Sequence, residues 1–528
     1  MMNRKFFRGK RWFIPVALIG IIVGLLIINF IIYPPAKENT GILDRVAPTT
    51  NITNPPTLPA EEAAVTGNGW NKTFAGDFSS RANSVQQTSD GGYIATGWKG
   101  YGMTYPSGFV DTVIFEFAAA YLLKTDANGN RVWEKSFGGL GMPACSGYDN
   151  IICTLNQNNT SGWLTETMGH SVRQTSDGGY IITGMYHTAK IHNKTSSIDH
   201  KLFDYDKGDE VFLVKTDANG NMQWNKTFGE YWQERGYSAQ QTSDGGYIIV
   251  GSTTSYGVCP YCAKEMGQSA PEDIYLIKTD SDGNKLWDKV IGGVHTDIGY
   301  SVQQTSDGGY IIGGMTAPLS GNEMTVPLSG NEVEDVYLLK TDSNGNKLWE
   351  KTFGRIDRSE AGYSVQQTND GGYVIVGETV WSGTSSLSII SGGYEGSDDV
   401  YLIKTDTNGG KIWEKEFGED EMDRGFSVQQ TSDGGYIIAG ETGALGAELT
   451  PVSTVAHHFQ STYLIKTDLN GDKIWQRTFK STGATSVQQT SDGGYIIAGG
   501  KRPVDREQLH GYSVDDAYLI KTDANGDI

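Results

Sequence analysis

Two short strings alternate seven times along this chain. The first, Ser-Asp-Gly-Gly-Tyr or a close variant, places its aspartate at Asp90, Asp177, Asp244, Asp307, Asp370, Asp433 and Asp492. The second, Lys-Thr-Asp-x-(Asn/Asp)-Gly, places its aspartate at Asp126, Asp217, Asp280, Asp342, Asp406, Asp468 and Asp523. From Asp177 onward the first string recurs at intervals of 67, 63, 63, 63 and 59 residues, after a first interval of 87. A period of this size belongs to solenoids and propellers and takes precedence over any element-by-element reading.

Each copy holds four strand-like segments. In the fifth they are Ser364–Thr368, Tyr373–Gly377, Val400–Thr405 and Lys411–Phe417, rich in Val, Ile, Tyr and Trp and bounded by turn residues. The two strings fall between the first and second segments and between the third and fourth. There their glycines serve tight hairpins that need a positive φ. This accounts for much of the glycine content, 69 of 528 residues, about twice ordinary usage. Nothing in the repeat has sustained helical periodicity. Four-stranded units in a series of seven predict an all-β, seven-bladed β-propeller with antiparallel blades.

The two ends of the repeat complement each other. Copies one to six each finish with a tryptophan strand, at Trp133, Trp224, Trp287, Trp349, Trp413 and Trp475, whereas the seventh stops at Ile528 before its own. The missing strand stands at the other end, in Gly67–Phe74, around Trp70. Residues 67–528 therefore form the propeller, with blade 7 shared between 67–74 and 486–528. Pairing the two would leave no open edge.

The segment before the propeller sets the expected compartment. Residues 1–12 carry Arg4, Lys5, Arg8, Lys10 and Arg11 and no acid, and Phe13–Tyr33 follows as 21 residues without a charge. Such a stretch can cross a hydrocarbon core of about 30 Å as one helix. It is longer than the apolar region of an ordinary cleaved signal peptide and lacks a small-residue cleavage pattern. It reads as an uncleaved signal anchor, with the basic tail cytoplasmic and the propeller extracellular. Residues 34–66, with six prolines among Thr, Asn and Glu, read as a stalk. The net charge of −20 argues against a nucleic-acid surface, which needs clustered Lys and Arg.

The combination S-V-Q-Q-T-S-D-G-G-Y-I-I with Y-L-I-K-T-D-x-N-G-N-x-x-W-x-K-T-F resembles a family of surface-exposed bacterial and archaeal β-propeller repeat proteins. The Asp342, Gly345 and Trp349 pattern is similar to the tryptophan-docking repeat of quinoprotein-like propellers, one residue shorter. The resemblance runs from about Gly67 to Ile528 and implies the fold. It implies no activity, because propellers host many functions.

In an up-and-down blade the short hairpins share one face. The longer insertions 98–120, 138–169, 185–209, 252–272 and 315–334 share the other, where function concentrates. Four features fall there. Glu210, Asp273, Asp335, Asp399 and Asp516 stand two residues before the third segment's aromatic, and Glu234, Asp297, Glu360 and Asp423 stand four before the repeat's Ser-Val or Ser-Ala. They are expected to form partial carboxylate rings at the channel mouth, able to attract Ca²⁺ or a cationic partner; capping of local turns is the competing reading. Outside the cell, four cysteines suit two disulfides, Cys145–Cys153 and Cys259–Cys262, although Cys259-Pro-Tyr-Cys262 also has redox-dithiol spacing and four thiolates could bind zinc. All eight histidines are placed on this face, none with zincin spacing. Exposed Trp and Tyr suit glycan or protein binding. Sequons for glycosylation stand at Asn51, Asn158, Asn159, Asn193 and Asn225.

The expected function is a membrane-anchored extracellular module for binding, adhesion or envelope scaffolding. Its partner would be a cell-surface protein, a glycan or a surface-layer component, and no cofactor is called for beyond possible Ca²⁺. The alternative is an extracellular enzyme, a quinoprotein-type oxidoreductase or a glycan-active hydrolase or lyase, with its site at the channel mouth. No nucleophile elbow, metal triad or phosphate loop supports the alternative.

Overall fold

The computed structural model describes residues 69–74, 79–105, 113–138, 161–192, 203–204, 208–229, 233–254, 271–293, 296–317, 334–355, 357–381, 398–418, 422–443, 461–480, 482–502 and 515–528. The chain divides into two units, Met1–Ala64 and Val65–Ile528, and every described residue belongs to the second. The basic tail, the apolar stretch Phe13–Tyr33 and the stalk lie outside the described residues. So do all four cysteines and the sequons at Asn51, Asn158, Asn159 and Asn193. Among the described residues no helix is long and apolar enough to cross a membrane.

The repeat folds into seven antiparallel sheets, one per blade, of four strands each apart from one extra short strand. Blade 4 shows the pattern: Asp297–Gln304, Tyr310–Thr316, Asp335–Thr341 and Lys347–Phe353 lie side by side in that order. Blade 2 carries the extra strand, Phe203–Asp204, beside Tyr180–His192. In blade 7 the strands Thr482–Gln489, Tyr495–Lys501 and Asp516–Thr522 are joined by Trp70–Phe74 as the outermost strand, with Trp70 opposite Lys521 and Phe74 opposite Ala517.

The burial gradient across a blade follows from its stacking between two neighbours. The second and third strands are covered on both faces and read as near-continuous apolar runs; Ile311, Ile312, Leu338 and Leu339 have no exposed surface. Each such side chain contributes about 1.5–3 kcal/mol of burial. The outermost strand is half solvated and alternates, leaving Leu348 largely exposed. Each apolar cluster bridges two blades, as where Ile311 and Leu338 of blade 4 meet Val365, Ile375 and Ile403 of blade 5. Blade 7 meets blade 1 in the same way, through Ile496 and Leu519 against Val85, Tyr93 and Leu123.

Tryptophan supplies a second link at every junction. Each outer-strand indole packs on the Asp-Gly-Gly-Tyr tyrosine of the next blade, from Trp70 on Tyr93 to Trp475 on Tyr495, with ring centroids 5.6–6.2 Å apart. The same indole covers the glycine of the next blade's Asp-x-Asn-Gly hairpin, as Trp287 covers Gly345.

Within each blade the two hairpins of the first face are tied by lysine and aspartate. In blade 4, Lys340 Nζ lies 3.0 Å from Asp307 Oδ2 and donates to its own strand's Thr341 carbonyl at 2.9 Å. Asp307 also accepts from the Thr305 hydroxyl and the Gly309 N–H. Gly309 must be glycine because a Cβ there would meet the Thr341 carbonyl at 2.2 Å and Lys340 Nζ at 2.5 Å. The arrangement recurs in all seven blades.

Strand limits differ from the sequence expectation at the second face. Blade 5 begins its inner strand at Arg358, not Ser364, because the chain passes through a bulge and stays paired. In blade 1, Tyr93–Tyr105 pairs with Val113–Thr125 over 13 residues, and in blade 2, Ser161–Gln174 pairs with Tyr180–His192. Parts of the predicted insertions 98–120, 138–169 and 185–209 are therefore prolonged strands. Local glycine and polar content disguised them.

Candidate functional site

The innermost strand of every blade carries Ser-(Val/Ala)-(Gln/Arg)-Gln, and seven copies surround an axial cavity of about 210 Å³. This strand is a sheet edge, so alternate N–H groups point at the preceding blade and need acceptors. The repeat supplies them from side chains. The serine Oγ accepts the Val N–H of the following blade, as from Val365 to Ser301 at 3.2 Å. The first glutamine's Oε1 accepts the N–H of the following blade's second glutamine, as from Gln367 to Gln303 at 2.6 Å. The second glutamine reaches back, its Oε1 taking the N–H of the preceding blade's hairpin, as from Ser306 to Gln367 at 2.9 Å. This last contact is present at all seven junctions, including Ser491 to Gln87 between blades 7 and 1.

Immediately before the serine, each inner strand holds a β-bulge. The extra residue is Asn83, His170, Tyr237, Tyr300, Tyr363, Phe426 or Thr485, in blades 1 to 7. A bulge re-aims its side chain out of the ladder. Here five consecutive ones form an arc, with centroid distances of 5.4 Å for His170–Tyr237, 5.3 Å for Tyr237–Tyr300, 5.2 Å for Tyr300–Tyr363 and 5.3 Å for Tyr363–Phe426. All five are half-buried. Burial raises the phenol pKa of Tyr237, Tyr300 and Tyr363, so they stay protonated, and lowers that of His170, whose Nδ1 bonds the Gly236 carbonyl at 2.9 Å.

Ion pairs flank the arc. Arg235 lies 3.1 Å from Asp209 and 3.9 Å from Glu272, and Asp209 also meets His187 Nδ1 at 2.9 Å. Arg424 lies 2.8 Å from Glu378 and 3.0 Å from Asp398. Arg81 of blade 1 reaches across blade 7 to Glu441 of blade 6, over Gly483 and Gly500.

The predicted acids all lie in the described residues, but no acid lines the axial cavity. Instead of rings they form pairs across blade junctions. Glu210 and Glu234 flank Gly229, Asp273 and Asp297 flank Gly292, and Asp399 and Asp423 flank Gly418. Asp335 faces Glu360 in the same manner. Asp516 has Ser80 in place of a second acid, with the Ser80 hydroxyl accepting the Ala517 N–H at 3.0 Å. Geometry explains the difference: the third strand's start meets the next blade's inner strand, not the axis. Most of these acids are buried, Glu234 to 1% and Glu360 to 0% exposure. Burial, with Asp297 beside it, pushes Asp273 up to about 6; burial pushes Glu360 up to about 7 and raises Asp335. Among the described residues no three His, Cys, Asp or Glu side chains converge as a metal ion would require.

His170 and His187 stand within strands, not in insertions. Asn225 is exposed on blade 2's outer strand. The aromatic arc is the feature that sequence reading missed. Its signal was the variable position inside Gly-x-Ser, at Gly236-Tyr237-Ser238 and its counterparts, which looked like one more strand residue.

No family model matches the sequence, and no curated protein matches it. Solved propellers are similar at low identity. BamB from Moraxella catarrhalis is 10% identical, covering 84% of this chain and 99% of its own, with a TM-score of 0.32. Sqt1 from Chaetomium thermophilum is 10% identical over 85% of this chain and 89% of its own, with a TM-score of 0.35. YCF48 bound to D1 peptide is 8% identical over 87% of this chain and 96% of its own, with a TM-score of 0.39. At such values the function of this chain has to be argued from its own residues.

Proposed function

We propose that this protein is a membrane-tethered, cell-surface binding module of the repeat-propeller kind its motifs resemble, with its ligand docking at the aromatic mouth of the ring. The observation that carries the proposal is the bulged column. One structural position, repeated in every blade and set beside constant glycine or alanine and serine, varies in identity and gathers five rings into a concave arc. Half-buried aromatic faces offer large contact area at low entropic cost and suit sugar rings or protein side chains. The neighbouring Arg235 and Arg424 clusters add directional polar groups. The prolonged hairpins of blades 1 and 2 extend the platform on one side. The basic tail and the apolar stretch Phe13–Tyr33 supply the tether, and an exterior location suits the proposed cysteine pairs and sequons.

The test is a screen of the detergent-solubilised full chain against glycan and cell-surface protein arrays. Hits are then repeated with Tyr300→Ala and Tyr363→Ala. The proposal expects saturable binding that falls at least tenfold in both variants while far-UV circular dichroism is unchanged. Binding indifferent to both substitutions would overturn it, as would catalytic turnover of a bound molecule.

A further inference from the structure

One residue in the axial cavity departs from the repeat. Six blades present the first glutamine of the inner strand there: Gln86, Gln240, Gln303, Gln366, Gln429 and Gln488. Blade 2 presents Arg173.

The orientation of the six amides is fixed by their partners. Each Oε1 accepts a backbone N–H from the following blade, at 2.6–2.9 Å. A backbone N–H can only donate, so the oxygen must face it and the NH₂ must face elsewhere. Among the described residues, none of these six Nε2 groups donates to a protein acceptor. The cavity wall at this level is therefore a circle of hydrogen-bond donors.

Arg173 breaks the circle in a specific way. At six junctions the inner-strand N–H meets a glutamine oxygen. At the remaining one, the equivalent N–H belongs to Gln241, in the same register, and blade 2 offers it no glutamine oxygen, because Arg173 has no acceptor atom. The guanidinium's own contacts are the Val172 carbonyl at 2.9 Å and Ser84 Oγ at 3.5 Å, and among the described residues no carboxylate pairs with it. An arginine stays charged, and this one keeps much of its surface exposed, where an anion can reach it.

We propose that the axial cavity is a small-anion site, in which an oxyanion or carboxylate group meets the Arg173 guanidinium and is surrounded by glutamine NH₂ donors. The chemistry matches a planar guanidinium fork, which binds carboxylate, phosphate or sulfate oxygens in pairs. No acid lines the cavity to repel such a group, although the chain as a whole carries a charge of −20.

The repeat itself provides the cleanest variant. Arg173→Gln restores the residue of the other six blades and supplies the missing oxygen for Gln241. It should fold and melt no lower than the native chain. Calorimetric titration and melting of the full chain, at fixed ionic strength in a buffer without small oxyanions, would use sodium phosphate, sodium sulfate, sodium acetate and sodium citrate in turn. The native chain should bind at least one with a single saturable site and a raised melting temperature. Arg173→Gln should lose that response at least tenfold, and Arg173→Lys should retain part of it. A response to phosphate or sulfate identifies a free inorganic oxyanion as sufficient. A response confined to acetate or citrate assigns the site to the carboxylate of an organic ligand; both support the site. Equal responses from the native chain and Arg173→Gln, or no saturable response to any of the four salts, would overturn it.

Discussion

Trp287 of blade 3 covers Gly345 of blade 4 so closely that a Cβ on the glycine would lie 2.6 Å from the indole, at a residue whose φ is +74°. Gly345→Ala therefore combines left-handed backbone strain with a steric clash, together on the order of 2–4 kcal/mol. Its melting temperature should fall by several degrees. In the double variant with Trp287→Ala the two losses should be less than additive, since the clash needs both partners. Strict additivity would mean that the contact is not what restricts this position.

Trp70 and Trp475 are far apart in sequence but occupy equivalent places, each on the next blade's tyrosine and glycine. Trp70→Ala should thus destabilise about as much as Trp475→Ala, roughly 2–4 kcal/mol for a partly buried indole. Deleting Trp70–Phe74 should cost more, because it also exposes the edge of Asp516–Thr522. Chemical denaturation monitored by circular dichroism measures both. A neutral Trp70→Ala would show that the seventh blade does not depend on its N-terminal strand.

Removing the acid from a first-face latch leaves a lysine with few alternatives. Lys340 is only 4% exposed in its side chain, whereas Asp307 is 59% exposed. Water can partly replace the carboxylate, so Asp307→Asn should cost about 1–2 kcal/mol. Lys340→Met, which removes the buried charge and keeps the stem, should cost less than Asp307→Asn. The reverse order in denaturant titrations would contradict this reading of the pair.

The two kinds of acid respond to pH in opposite senses. Glu360 is held up to about 7, from an ordinary value of 4.5. Between those values the unfolded chain ionises while the folded one keeps its proton, so stability falls as pH rises through this window and levels off above it. Asp90, Asp177, Asp244 and Asp307 are held down to about 2, from 3.8. Their contribution is complete above 3.8 and is lost as pH falls toward 2. The melting temperature should accordingly peak between about pH 4 and 5. Glu360→Gln should flatten the decline toward pH 8 and raise stability there by on the order of 1–3 kcal/mol. A decline unchanged in Glu360→Gln would assign it to other groups.

The seven-blade architecture was legible because turns advertise themselves. Gly91, Gly129 and their counterparts sit at positive φ in all fourteen short hairpins, and a period built on such residues survives translation into sequence pattern. The acids were legible as a repeated column but not as pairs. Which residue lies beside Asp273 depends on the angle between blades, and Asp297 is 24 residues along the chain. The mouth was illegible for a different reason. A bulge shifts the strand's alternation by one residue, so Tyr300 looks like a ladder member in sequence and leaves the ladder in space. Arg173 was visible as a departure from Ser-Val-Gln-Gln-Thr, but its meaning depends on which atoms of the neighbouring glutamines are already engaged.

The inter-blade hydrogen bonds of the inner strands also give the ring a sense of circulation. Five of the serines and all six first glutamines accept from the blade that follows, so the contacts run head to tail, as subunits do in a closed heterologous oligomer. Such a circle has no terminal member to fray, and strain introduced in one blade reaches two neighbours. It also has one seam unlike the rest, between blades 2 and 3, where the glutamine clasp is replaced by arginine. If the circle ever parts without unfolding, this seam is where it should open first, and an occupant of the axis would act as its rivet.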